Sequence, residues 1–261
     1  MDTTQQTLIK RIKNTIGQEE MDTVVVEFPL TLFINELEYT TLLCTPSNLK
    51  ALIIGHLKTD FLIEALKDIQ SLIVDESKGI AYLEIDKDLK EHLGFKNRYI
   101  TSGCASSAMY YDTLDAIKLR SLNPSEPFEV AMSDIYKHMR LLNQYSELFK
   151  STGGVHIAGL FDVEGPIYLV EDIGRHNAVD KVIGLMLMNQ LSVDHKMMFI
   201  SGRISSEMVL KCAKQDIKVI VSRSAPMNLA IKMAESLNIV LIGFVRGDKG
   251  NVYTGFDYVK I

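Results

Sequence analysis

Strand-like and helix-like segments alternate from Ser151 onward, and that rhythm constrains the fold more than any other feature of the chain. Residues 155–161 read as a strand, Glu164-Gly165-Pro166 as a turn and 167–170 as a second strand. Helix 178–188, strand 197–200, helix 205–213, strand 217–221, helix 226–236 and strand 239–245 follow. Such alternation predicts βαβ units: an α/β domain with a mixed, mostly parallel sheet, helices on both faces and an antiparallel edge strand from the leading hairpin. At 261 residues the chain can bury roughly three quarters of its unfolded surface, enough for a second, smaller unit as well.

That smaller unit is expected over 23–120 and is β-rich. Short β-branched runs at 23–28 and 30–34 flank Pro29, which marks an edge strand or a bulge. Asn35-Glu36 reads as a tight turn into a strand over 37–44. Thr45-Pro46 opens a helix in which Leu49, Leu52, Ile53 and Leu57 recur at helical spacing. Strands at 71–75 and 80–85 hinge at Lys78-Gly79. Residues 1–22 read as a polar arm with one short helix over 8–16. Two prolines within 121–127 place the internal boundary there, followed by one long helix over 128–150 and the α/β domain, 121–261 in all.

Composition narrows the function classes. A net charge of −5 and a pI near 5.7 speak against a broad nucleic-acid footprint but leave room for a local cationic pocket. No apolar run reaches the roughly 18 residues of a membrane span, and the polar Met1–Gln6 stretch has no signal-peptide core, so a cytoplasmic protein is expected. Cys44, Cys104 and Cys212 form neither a CxxC pair nor a metal-ligand spacing; free thiols and no metal centre are expected.

In open α/β sheets ligands bind beyond the carboxyl ends of the strands. Four such loops each carry an arginine: Arg175 in Glu171–Asn177, Arg203 in Ser201-Gly202-Arg203, Arg223 in Ser222-Arg223-Ser224, and Arg246 in the segment Phe244-Val245-Arg246-Gly247-Asp248-Lys249. Singly, each is an ordinary surface arginine. Together, with three of the loops feeding helix N-termini, they point to a phosphorylated or otherwise anionic ligand. Phe244 is either a base-stacking face or a core residue at a strand end. His176 is the better acid–base candidate and His156 a half-buried strand residue. Glu171 and Asp172 are expected to cap the next helix or hold Arg175. Cys104, in Thr101-Ser102-Gly103-Cys104-Ala105-Ser106-Ser107 ahead of a helix-like stretch over 106–118, is the candidate nucleophile, since such a position lowers a thiol pKa. Cys44 and Cys212 sit among apolar neighbours and read as packing.

Thr152-Gly153-Gly154-Val155-His156, the segment 171–181, Ser201-Gly202-Arg203 with Glu207, Ser224-Ala225-Pro226 and Gly243-Phe244 together resemble the FdhD/NarQ family, from about residue 24 to 258. The resemblance implies a formate dehydrogenase accessory sulfurtransferase with a cytidine-deaminase-like domain. It implies a persulfide on Cys104, received from a cysteine desulfurase and passed to the molybdenum bis(guanylyl molybdopterin) cofactor for apo formate dehydrogenase. It further implies a homodimer, and places the guanine-nucleotide end of the cofactor, mimicked by GDP, at Phe244–Lys249, with Arg203, Arg223, Arg175 and His176 as further candidates. Two departures stand out. Ser224-Ala225-Pro226-Met227-Asn228 lacks deaminase zinc ligands. Ser107 occupies the second position of the family's CxxC, which leaves a non-catalytic cofactor-binding chaperone as the alternative.

Overall fold

The computed structural model describes residues 1–86 and 126–261. The first segment departs from the expected arm and short helix. Thr4–Lys13 (β1) and Ile16–Val25 (β2) form an antiparallel hairpin with unbroken register from Thr4↔Val25 to Lys13↔Ile16. Its turn, Asn14-Thr15, has positive φ at both residues, the geometry whose twist matches paired strands. Arg11 reaches across to Glu20 and Asp22. Leu8, Ile12 and Ile16 are compatible with helical spacing, but cross-strand pairing decides the outcome.

Phe28–Ile34 (β3) runs without interruption through Pro29, and Leu37–Cys44 (β4) returns from the Asn35-Glu36 turn, again with positive φ at both residues. Leu49–Thr59 (α1), Ile69–Asp75 (β5) and Ile80–Ile85 (β6) complete the unit. The sheet order is β4-β3-β6-β5. β3 pairs with β6 only from Thr31 on, so Pro29 sits where that side of the strand has no ladder partner for its missing N–H. α1 starts after Asn48 in a left-handed conformation, later than Thr45-Pro46 suggests. Its Leu49, Leu52, Ile53 and Leu57 pack with Leu30, Leu32, Ile34, Ala81 and Leu83 of the sheet.

The expected single helix over 128–150 is three elements: Val130–Ala131 (β7), Met132–Tyr145 (α2) and Glu147–Thr152 (α3). Ser146 leaves the helical region and caps α3 by accepting the Phe149 N–H, breaking the rod. His156–Phe161 (β8), Pro166–Asp172 (β9), Arg175–Met188 (α4), Met197–Ile200 (β10), Ser206–Ala213 (α5), Val219–Ser222 (β11), Asn228–Ser236 (α6), Val240–Arg246 (β12), Lys249–Thr254 (β13) and Val259–Lys260 (β14) follow. β13 is an element that the sequence reading leaves out.

The large sheet has the order β13-β12-β11-β10-β8-β9. It is mixed, with helices on both faces, as expected. Its parallel share is smaller than alternation suggests: only β10–β11 and β11–β12 pair in parallel, and the other three pairings are antiparallel. β8 causes two of these, since it inserts between β9 and β10 and runs against both, and β13 folding back on β12 gives the third. β9, β10, β11 and β12 still point the same way, so their carboxyl ends share one edge, and the start of β8 joins them there. On one face α4, α5 and α6 pack Val179, Ile183, Met208, Val209 and Ala234 against Leu160, Met198, Ile220 and Leu241. On the other, Ile135, Met139 and Leu142 of α2 cover Phe161, Phe199, Val219 and Ile242.

Helices α1 and α4 join the two units at very close range. A Cβ built on Gly55 would lie 1.8 Å from the Asp180 carbonyl oxygen, and one on Gly184 would lie 1.9 Å from that of Ala51. Among the described residues no helix is long and apolar enough to cross a membrane.

Candidate functional site: the carboxyl edge of the large sheet

The four arginine loops meet where the topology requires. Arg223 donates its backbone N–H to the Ile200 carbonyl, and Arg246 Nε donates to the Arg223 carbonyl at 3.1 Å. The Ser222 hydroxyl donates to the Gly202 carbonyl at 2.6 Å and accepts the Ser224 N–H, tying the β10 and β11 loops together. Gly202 allows a further approach: a Cβ there would meet His156 Nδ1 at 3.2 Å and Arg175 Cβ at 3.3 Å. Arg203, Arg223 and Arg246 are exposed, whereas Arg175 is half-buried with its Nε sealed from solvent and unpartnered. His156, the first residue of β8, is held below the ordinary imidazole range by burial and then by Arg175. A dense cationic rim whose exposed guanidiniums have no carboxylate partner among the described residues suits an anion.

Phe244 stands at this rim, 40% exposed, with φ at +53° inside a β-bulge between Gly243 and Arg246. A left-handed phenylalanine is a strained backbone, and strain of that kind collects at binding sites. Its N–H donates to the Ser224 carbonyl, which holds the bulge against the β11 loop. The rest of the predicted segment divides. Val245 is fully buried in the core under α2, so only its backbone reaches the edge. Gly247 makes the turn into β13 with φ at +59°, and Asp248 pairs with Arg140 at 2.9 Å. Lys249 is exposed at the start of β13.

His176 opens α4 beside this rim. Its Nδ1 lies 3.0 Å from Glu207 Oε2, and its Nε2 lies 3.4 Å from Ser205 Oγ. The sequence reading singles out His176 without these partners, which come from the next strand–helix unit.

Asp172 acts on the N-terminus of α4, as expected, but not on Arg175. Its Oδ1 accepts the Gly174 N–H and the Asn177 amide. Its Oδ2 meets Lys181 Nζ at 2.7 Å and accepts the Thr45 N–H and hydroxyl. Asp180 pairs with Lys211 at 2.6 Å and with His56 Nδ1 at 3.5 Å. Burial opposes ionisation of Asp180, yet Lys211 and His56 outweigh it and hold the carboxyl below its usual range. Both clusters are buried at the junction of the two units. Their sequence signal is Asp180-Lys181 inside an otherwise apolar helix stretch, charges that must pair if both flanks are covered.

Cys44 and Cys212 are buried, and burial pushes each thiol up to about 12, which removes them as thiolate nucleophiles. Cys104 and Ser107 lie outside the described residues. Among the described residues no group of three His, Cys, Asp or Glu side chains stands together as a metal site.

The sequence model of the FdhD/NarQ family matches residues 25–260. The chain is 40% identical over 234 residues to the sulfur carrier protein FdhD of Bacillus pumilus, covering 89% of this chain and 88% of that one. It is 38% identical over 260 residues to the protein of the same name from Listeria monocytogenes serovar 1/2a, covering 99% and 100% of the two. A solved structure, the crystal structure of a candidate formate dehydrogenase accessory protein from Desulfotalea psychrophila, superposes with a TM-score of 0.79 at 25% identity, over 99% of this chain and 100% of that one. With a family match over nearly its whole length and relatives close to 40% identical, the chain belongs to the FdhD/NarQ family.

Proposed function

We propose that the protein is a sulfur carrier and sulfurtransferase that moves persulfide sulfur from a cysteine desulfurase, through Cys104, to the molybdenum bis(guanylyl molybdopterin) cofactor used by formate dehydrogenase. Family membership and the name of its relatives, sulfur carrier protein FdhD, support the carrier role. The name of the solved neighbour supports the dehydrogenase as the enzyme served. One observation of this chain carries the reading: Arg175, Arg203, Arg223 and Arg246 converge on a single sheet edge beside an exposed, strained Phe244. Guanidiniums bind the diphosphate of a guanine nucleotide bidentately, and the aromatic ring stacks on its base. A homodimer working in the cytoplasm belongs to the same proposal.

In the loading step the Cys104 thiolate attacks the terminal sulfur of the desulfurase persulfide. A new S–S bond forms on Cys104, the donor S–S bond breaks, and the desulfurase cysteine leaves as thiolate. Ser107 provides no second thiol, so the persulfide has no intramolecular disulfide route and waits for its acceptor. Incubation with a cysteine desulfurase and cysteine, followed by mass spectrometry, tests this. The expected result is one added sulfur atom on Cys104, lost in Cys104→Ala and retained in Cys44→Ala and Cys212→Ala. Absence of that adduct, with GDP binding preserved, gives the site to a non-catalytic cofactor chaperone instead.

A further inference from the structure

A hydrogen-bonded side-chain constellation stands beside the arginine rim. Ser205 ends the β10–α5 connection, Glu207 lies in the first turn of α5, and His176 opens α4. Glu207 Oε2 lies 3.0 Å from His176 Nδ1, and in the neutral tautomer that donates Nδ1–H to this carboxylate Nε2 is a lone-pair acceptor. Burial works against ionisation of Glu207, but its hydrogen bond to His176 holds the carboxyl below the usual range, keeping it an acceptor. Nε2 lies 3.4 Å from Ser205 Oγ, a distance at the long end for an unliganded site. Ser205 Oγ also accepts the Met208 N–H, so its own proton is free to point at Nε2. In that tautomer the hydrogen bonds run in one direction, from hydroxyl to imidazole to carboxylate.

We propose that Ser205 is the nucleophile, His176 the general base and Glu207 its positioning residue in an acyl-transfer site that takes anionic esters. The placement matches what a serine nucleophile needs: a strand-to-helix connection at the carboxyl edge of a sheet, with the N–H of the next residue, Ser206, in the first turn of a helix and outside the helical ladder, where it stabilises an oxyanion. Arg175 and Arg203 stand on the same edge and select a negatively charged substrate. Ser205 Oγ attacks the ester carbonyl carbon and its proton moves to His176 Nε2. The carbonyl–alkoxide bond then breaks, and the alcohol leaves with that proton. Water, deprotonated by His176 in turn, releases the acid and restores Ser205. The reaction needs no thiol, although Arg175 and Arg203 belong also to the proposed cofactor rim.

Labelling of the full-length protein with a fluorophosphonate, mapped by mass spectrometry, tests the nucleophile. The expected adduct is on Ser205, with loss of fluoride; Ser205→Ala abolishes it, and His176→Gln and the isosteric Glu207→Gln slow it at least about tenfold. A wild-type protein without an adduct on Ser205 overturns the proposal whatever the variants do, and so does labelling that proceeds unchanged in His176→Gln. Hydrolysis of p-nitrophenyl hemisuccinate against p-nitrophenyl acetate tests the substrate class. The anionic ester should turn over faster in the wild type, and Arg203→Ala should remove the difference. Equal rates for the two esters in the wild type reject the anionic-ester assignment.

Discussion

Lys181 has no solvent contact, and its ammonium is held by Asp172 at 2.7 Å, the Thr45 hydroxyl at 2.8 Å and the Glu171 carbonyl at 3.1 Å. A buried charge so enclosed depends on its partner, because desolvation of the survivor is uncompensated when one member is removed. Lys181→Ala should therefore lower stability by about 3–5 kcal/mol in urea titration, and the double variant Asp172→Asn/Lys181→Met should lose less than the sum of the two single changes. His138 carries a different residue-scale consequence. It is fully buried against Phe161 and Phe199 with both ring nitrogens unpartnered, and burial pushes its pKa down. The folded protein holds this ring neutral while the unfolded chain protonates it below about pH 6.5, so its contribution to stability is lost as pH falls through that range. His138→Phe should flatten the pH dependence of the urea midpoint between about pH 5 and 7. At the rim, Arg203→Ala and Arg246→Ala should each weaken GDP binding by about 1.5–3 kcal/mol in calorimetry, the magnitude of a charge-assisted hydrogen bond. Unchanged affinity in both variants would remove the nucleotide from this edge.

Among the elements, the α1–α4 pair has the least room for change. The helices touch backbone to backbone because Gly55 faces Asp180 and Gly184 faces Ala51. Gly184→Ala puts a methyl 1.9 Å from a carbonyl oxygen, which no rotamer relieves, so the helices must separate and expose the charges buried beside them. The expected loss in thermal or urea unfolding is about 1–3 kcal/mol from overpacking alone, and more if the ion pairs open. Gly153→Ala is the matched control for introducing a methyl, since nothing lies within 4 Å of its Cβ, although its positive φ brings a modest strain. The hairpin β1–β2 shows the opposite condition. Both of its faces are largely exposed, and cross-strand pairs, not a core, set its register.

At the scale of the molecule, the two units are coupled by buried chemistry. Thr45 from the first bonds Asp172 and Lys181 of the second, and Thr59 and His56 meet Asp180, which also pairs with Lys211. Neither unit can open without desolvated charges losing partners, so unfolding should be one transition. Far-UV circular dichroism and tyrosine fluorescence should give coincident urea curves, and two separated transitions would show the coupling to be weak.

Local patterning locates the turns at Asn35-Glu36 and Lys78-Gly79, the β10, α5, β11, α6 and β12 segments to within two residues, and the order of arginines along the chain. These depend on periodicity and turn chemistry within a few residues. The family resemblance rested on the same short motifs. The remainder depends on long-range pairing and packing. Strand neighbours are non-local, so the insertion of β8 between β9 and β10 and the pairing of β13 with β12 leave no trace in alternation. The N-terminal hairpin is not legible because Asn14-Thr15 lacks the glycine that usually marks such a turn and Leu8, Ile12 and Ile16 are also compatible with helical spacing. At the site, the types and positions of Arg175, Arg203, Arg223 and Arg246 were legible, but that Val245 turns inward, that Phe244 takes a left-handed backbone and that His176 meets Ser205 and Glu207 were not. Each depends on contacts between segments far apart in the chain, which form only when the sheet brings its carboxyl ends to one edge.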